Sequence, residues 1–121
     1  SGLPELPRRS LVHALNIKAV SRKIALKLGK SLNELNLIVA HLGGGISIAP
    51  LKRGRIIDVN NANESGPFSP ERCGGLPVGD IVEIAFSGQY AYKELKKKML
   101  GSGGLAGYLG TNDAREVQAR I

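Results

Sequence analysis

Tryptophan is absent from this sequence, cysteine and methionine occur once each, and aromatic residues make up only 4% of the chain. Each scarcity narrows the choice. The single cysteine, Cys73, excludes an internal disulfide and fits a reducing compartment. Lysine and arginine together number 17 against 10 acidic residues, for a net charge of +7. Such a balance suits nucleic acid, anionic lipid or phosphorylated small molecules. The few aromatics are not interleaved with the basic residues and no zinc-finger or related motif occurs, so nucleic acid is not an expected partner. No apolar run approaches membrane-spanning length and no secretory pattern is present. The expectation is a cytoplasmic protein with no membrane partner. At 121 residues the chain suffices for one small core but not for a two-lobed enzyme. It opens Ser1-Gly2-Leu3-Pro4 without methionine and ends at Ile121 inside an expected helix, as a segment of a longer protein would.

What the sequence does have is glycine, in one telling place. Leu37-Ile38-Val39-Ala40-His41-Leu42 runs into Gly43-Gly44-Gly45, and Ile46-Ser47-Ile48-Ala49 leads out. The pattern predicts strand, tight turn, strand. The first strand is nearly continuous in apolar residues, as when both faces are covered. The second alternates. Without Cβ atoms, the glycines let backbone N–H groups approach an anion, and His41 can add a donor. An ordinary hairpin beside a buried histidine fits these residues equally, and such turns are common.

Along the chain, Leu3 to Ser10 reads as an extended lead-in containing Pro4 and Pro7. Ser10-Leu11-Val12-His13 leads into a helix of about 14 residues, with His13 at or just before its start. Ile17, Val20, Ile24 and Leu28 share one of its faces, and Gly29 is its expected C-terminal cap. Ser31-Leu32-Asn33-Glu34 has capping-box spacing. A turn at Lys52-Arg53-Gly54 precedes a third strand from Arg55 to Val59, which completes an antiparallel meander. Asn60 to Pro77 is a long loop stiffened by prolines, of the kind that carries function. In it, Arg72 can offer a planar five-donor head to a carboxylate or phosphate, or pair with Glu71 or Asp80. Cys73 reads as a packing thiol. Helices are expected over Val78 to Phe86, Tyr90 to Leu100 and Ala114 to Ile121, the last capped by Thr111-Asn112-Asp113. Gly101 to Gly110 reads as a glycine-rich connector, and Lys96-Lys97-Lys98 as a solvated helix face. No metal-ligand cluster is evident.

Five segments, in order, resemble the butyrate kinase family: Ser10-Leu11-Val12-His13-Ala14-Leu15-Asn16, Ala40-His41-Leu42-Gly43-Gly44-Gly45-Ile46-Ser47, Ile57-Asp58-Val59-Asn60-Asn61-Ala62, Gly66-Pro67-Phe68-Ser69-Pro70-Glu71-Arg72, and Tyr108-Leu109-Gly110-Thr111-Asn112-Asp113-Ala114-Arg115. That family belongs with the acetate kinases, in the superfamily of actin, sugar kinases and Hsp70. The resemblance implies an α/β fold: part of an actin-like ATPase (ribonuclease H-like) lobe, with an antiparallel β-meander flanked by helices. Residues 1–35 would form a helical lead-in between lobes, and residues 36–121 the opening of the second lobe.

The resemblance also implies an activity, transfer of the ATP γ-phosphoryl group to butyrate, isobutyrate or a related short-chain carboxylate, with Mg²⁺, in an enzyme that is homo-oligomeric when whole. It assigns His13 to the transferring phosphoryl group, Arg72 to substrate and phosphoryl binding, and the segment of His41, Gly43, Gly44 and Gly45 to phosphate binding. Acetate kinases carry Asn where this chain has Gly44. Asp58 lies near the site without an assigned role. The metal's acidic residue would lie beyond Ile121. The resemblance favours function over the ordinary hairpin for the turn and for His13. A competing expectation from another class is a basic polyanion-binding module without catalysis.

Overall fold

The computed structural model describes residues 2–64 and 66–121; Ser1, and Ser65 in the expected loop, lie outside the described residues. The chain forms two compact bodies, residues 1–41 with 47–62, and residues 42–46 with 63–121.

The first body carries helix α1 (Ala14–Lys27), a single 3-10 turn (Leu32–Glu34) and most of a three-stranded sheet. The strands are β1 (Asn36–Leu42), β2 (Ile46–Lys52) and β3 (Arg55–Ile56), side by side in that order and antiparallel. Leu51 faces Ile56 and Lys52 faces Arg55 in register. Arg53 (φ 50°) and Gly54 (φ 75°) both take positive φ, the conformation that a tight two-residue hairpin demands. The third strand is shorter than expected. Beyond Ile56 the Ile57 N–H, donating to Pro50 O at 3.1 Å, continues the pairing.

The core packs Ile17, Val39, Ala49, Leu51 and Val59, with Val12, Leu37 and Ile56 at its margin. Helix α1 meets it through Ile17, Ser21 and Ala25; of the expected stripe Ile17 is buried as anticipated, while Val20, Ile24 and Leu28 are exposed. Small side chains permit close approach, and Ser21 is buried without an orphaned group because its hydroxyl donates to Ile17 O at 2.7 Å. Strand β1 is likewise covered on one face only: Val39 is buried while Ile38 and Leu42 are 78% and 74% exposed. On β2 it is Ser47, Ala49 and Leu51 that turn inward.

Two local signals are visible in the structure. Gly29 (φ 63°) ends α1 in a Schellman motif, with Gly29 N–H on Leu26 O and Lys30 N–H on Ala25 O. Glu34 reaches back to the Ser31 N–H at 2.8 Å, half of the expected capping box.

The second body is helical: α2 (Val78–Phe86), α3 (Tyr92–Leu100), α4 (Gly104–Leu109) and α5 (Ala114–Gln118). Helix α4 forms within the expected connector. Its first N–H groups are satisfied by the long loop, Leu105 N–H by Ser69 O at 3.2 Å and Ala106 N–H by Pro70 O at 3.0 Å. That approach requires glycine, because a Cβ on Gly104 (φ 63°) would stand 1.8 Å from Ser69 O. Helix α3 begins at Tyr92, two residues later than expected, where the Glu94 carboxylate accepts the Ala91 N–H at 2.9 Å. Asp113 caps α5 as anticipated, accepting from Arg115 N at 2.9 Å, although the helix ends at Gln118.

Candidate functional site

In the first body the structure brings His13 and His41 together, although they stand far apart in sequence. His13 precedes the first residue of α1, and His41 projects from the end of β1. Their rings stack with centroids 3.8 Å apart and planes 15° from parallel. Each Nδ1 has a neutral polar partner. His13 Nδ1 lies 2.9 Å from Ser47 Oγ on β2, and His41 Nδ1 lies 2.9 Å from Asn16 Oδ1 in the first turn of α1. A carbonyl oxygen only accepts, so the contact with Asn16 is a hydrogen bond in the tautomer that carries the proton on His41 Nδ1. Among the described residues no hydrogen bond engages either Nε2. His13 is exposed and His41 half-buried, so neither is a core histidine.

Asp58, in the same body, pairs with Arg8 at 2.5 Å, and Arg8 also donates to Val59 O at 3.0 Å. The Arg8 hydrogen bond, helped by the Val59 N–H, holds the Asp58 carboxyl below the usual carboxylate range. This pair fastens the lead-in segment to the chain after β3.

The second body contains the glycine turn and Arg72. The Gly44 carbonyl is held twice, by the Ser69 hydroxyl at 2.7 Å and the Glu71 N–H at 3.1 Å. A trans peptide places the next N–H opposite its carbonyl, so the two bonds also fix the direction of the Gly45 N–H. Ser69 is only 2% exposed, and its oxygen also accepts the Arg72 N–H at 3.1 Å.

Arg72 is three-quarters buried and largely engaged within its body. Its Nη1 donates to Leu100 O at 2.6 Å and approaches Glu71 Oε2 at 3.5 Å, and its Nε reaches Asn63 Oδ1 at 3.4 Å. The arginine therefore ties the loop to the end of α3, and Glu71, one of the two ordinary partners expected for it, does pair with it. A cleft of about 660 Å³ opens beside the turn, lined by Gly43, Gly44, Phe68, Pro70, Glu71 and Asn112 among others. Cys73 is half-buried, and desolvation pushes its thiol above its ordinary value, as for a packing residue.

Sequence reasoning gave no role in the site to Ser47, Asn16, Ser69 or Asn112, the last of which it read only as part of a helix cap. All four lie inside the quoted segments. Their neutral side chains carry no signal of their own until the fold supplies the partner. Among the described residues no three of His, Cys, Asp and Glu converge to hold a metal ion. No helix among the described residues is long and apolar enough to cross a membrane.

A probable butyrate kinase 2 of Caldanaerobacter subterraneus subsp. tengcongensis is 61% identical over 121 residues, all of this chain and 34% of that protein. A probable butyrate kinase of Thermotoga petrophila is 55% identical over 117 residues, covering 97% of this chain and 33% of the relative. The chain thus spans about a third of the length of the curated relatives it matches. Among solved structures, a propionate kinase from Francisella tularensis superposes with a TM-score of 0.75 at 25% identity, over 98% of this chain and 34% of that one. An acetate kinase from Porphyromonas gingivalis does so at 0.74 and 25%, over 84% and 26%. The model of the acetokinase family matches residues 6–121, and with the motifs, the meander and these relatives in agreement, the chain belongs to that family.

Proposed function

We propose that this chain is the central part of a carboxylate kinase that transfers the ATP γ-phosphoryl group to butyrate, isobutyrate or a similar short-chain acid, giving acyl phosphate and ADP. Residues 1–35 form the helical lead-in between lobes and residues 36–121 open the second lobe. The whole enzyme is cytoplasmic and homo-oligomeric. The observation that carries the reading is the stacked pair of His13 and His41, each with Nδ1 fixed and Nε2 uncommitted. The relatives' names favour butyrate as acceptor.

The chemistry asks little covalent work of the protein. A short-chain carboxylate is already ionised at neutral pH, so no general base is needed. A carboxylate oxygen attacks the γ-phosphorus, the bond to the bridging oxygen breaks, and ADP leaves with that electron pair. Catalysis then rests on positioning and on stabilising charge spread over the equatorial oxygens. In this reading His13 meets the transferring phosphoryl group. Backbone N–H groups of Gly43, Gly44 and Gly45, with His41, hold the nucleotide phosphates. Arg72 adds a fixed positive charge. Bound magnesium would neutralise phosphate charge.

The test is acyl-hydroxamate formation by the complete polypeptide with ATP and a series of short-chain acids. Product from butyrate or isobutyrate supports the reading, and none from any of them overturns it. A basic module for polyanions is the competing reading, motivated by the net charge and the exposed Lys96, Lys97 and Lys98. Fluorescence anisotropy with labelled nucleic acid separates the two, since tight binding with a steep salt dependence favours the module.

A further inference from the structure

We propose that Glu71 is a positioning residue for the glycine turn, acting through the space over Gly44 and through Asn112; this rests on the phosphate reading of the turn given above. The Glu71 carboxylate lies where a side chain at position 44 would begin. A Cβ built on Gly44 would stand 2.8 Å from Glu71 Oε2 and 3.0 Å from its Cδ. The carboxylate is not idle there. Its Oε1 accepts the Asn112 Nδ2 at 2.7 Å, its Oε2 faces Arg72 Nη1 at 3.5 Å, and its backbone N–H holds the Gly44 carbonyl.

One residue therefore joins three things that border the same cleft: the turn, the arginine loop and the segment before α5. A side chain at 44 and the Glu71 carboxylate exclude each other. The end of a glutamate side chain moves at little steric cost, so the consequence of filling position 44 is the loss of the Asn112 bond. Gly44→Ala, Glu71→Ala and Asn112→Ala then break one and the same tie. Their effects must coincide rather than multiply, as for residues in a single network.

The experiment is a set of mutant cycles in the complete polypeptide, reading KM for ATP, KM for the carboxylate and melting temperature. Each single variant is expected to raise KM for ATP by about threefold to tenfold with little change in KM for the carboxylate, and Gly44→Ala/Glu71→Ala no more than the larger single. Glu71→Gln keeps an acceptor for Asn112 and should restore most of the loss. Multiplicative effects on KM for ATP would overturn the positioning role while leaving the phosphate reading of the turn in place. Melting temperatures coupled between positions 44 and 71, with KM for ATP unmoved in every variant, would instead overturn the phosphate reading and the role that rests on it.

Discussion

The two bodies are held together by different physics. The first buries aliphatic side chains between a helix and a sheet, around Ile17, Val39, Ala49, Leu51 and Val59. The second has few fully buried side chains and relies on backbone meeting backbone. Gly74, Gly103 and Gly104 sit where a Cβ would come within 2.6 Å, 2.6 Å and 1.8 Å of main-chain atoms. Hydrophobic cores lose stability in proportion to what is removed. Backbone contacts at glycine fail when anything is added, because the neighbouring atoms are not the free ends of side chains. The region around the turn and Arg72 is thus tolerant of little change.

The sharpest break in this comparison is Gly104→Ala. Its methyl would meet Ser69 O at 1.8 Å and Arg72 O at 2.7 Å, on a backbone at φ 63°. A loss above about 4 kcal/mol is expected, with helix α4 released from the loop, measurable by denaturant unfolding. Ile17→Ala attacks the first body in the opposite way, by deletion. Ile17 is 0% exposed, and about 3 kcal/mol should be lost by the same assay. A cost under about 1 kcal/mol would mean that this core does not support the fold.

Arg72→Lys probes where structure and proposed activity overlap. Lysine cannot reproduce the fork that reaches Leu100 O, Glu71 and Asn63, so a fall of a few degrees in melting temperature is expected. If the guanidinium also meets the reacting groups, turnover by the complete enzyme should fall by about 10²–10³. Near-normal turnover with the same fall in melting temperature would make Arg72 a structural residue of its loop.

The smallest effect concerns acid. Arg115 grips Asp113 through Nε at 3.0 Å and Nη2 at 2.6 Å, and this hydrogen bonding, with the Arg115 backbone N–H, lowers the Asp113 carboxyl from 3.8 to about 2. A depressed folded-state value stabilises above the unfolded value and is lost as protons return. The contribution of Asp113 is therefore present above 3.8 and disappears as pH falls from there through about 2. Asp113→Asn should flatten the acid limb of a stability–pH curve in that interval, and an unchanged curve would show that the pair does nothing in solution.

Local signals were legible before any fold was known. The extent of α1, the Schellman glycine at Gly29, the Asp113 cap and the span of α2 depend on interactions within a few residues, and each is carried by one side chain or by its absence. The order of the five segments was enough to place the chain in its family. The outcome was different wherever distant backbone decides. A continuous apolar run could not reveal that β1 is covered on one face, because hydrophobicity does not record which neighbour is present. Nor could a glycine-rich stretch announce α4, whose first N–H groups find their acceptors in a loop more than thirty residues away in sequence.

The site divides in the same way. The sequence by itself determined which residues are candidates for the site: two histidines, three glycines and an arginine. Only the tertiary structure decided how they are held, stacking His13 on His41, fixing their Nδ1 atoms on Ser47 and Asn16, and clamping Gly44 between Ser69 and Glu71. The reason is physical. A titratable or glycine-rich motif carries its chemistry in its own atoms, whereas a neutral serine or asparagine acquires a role only from the partner that folding sets within hydrogen-bonding distance.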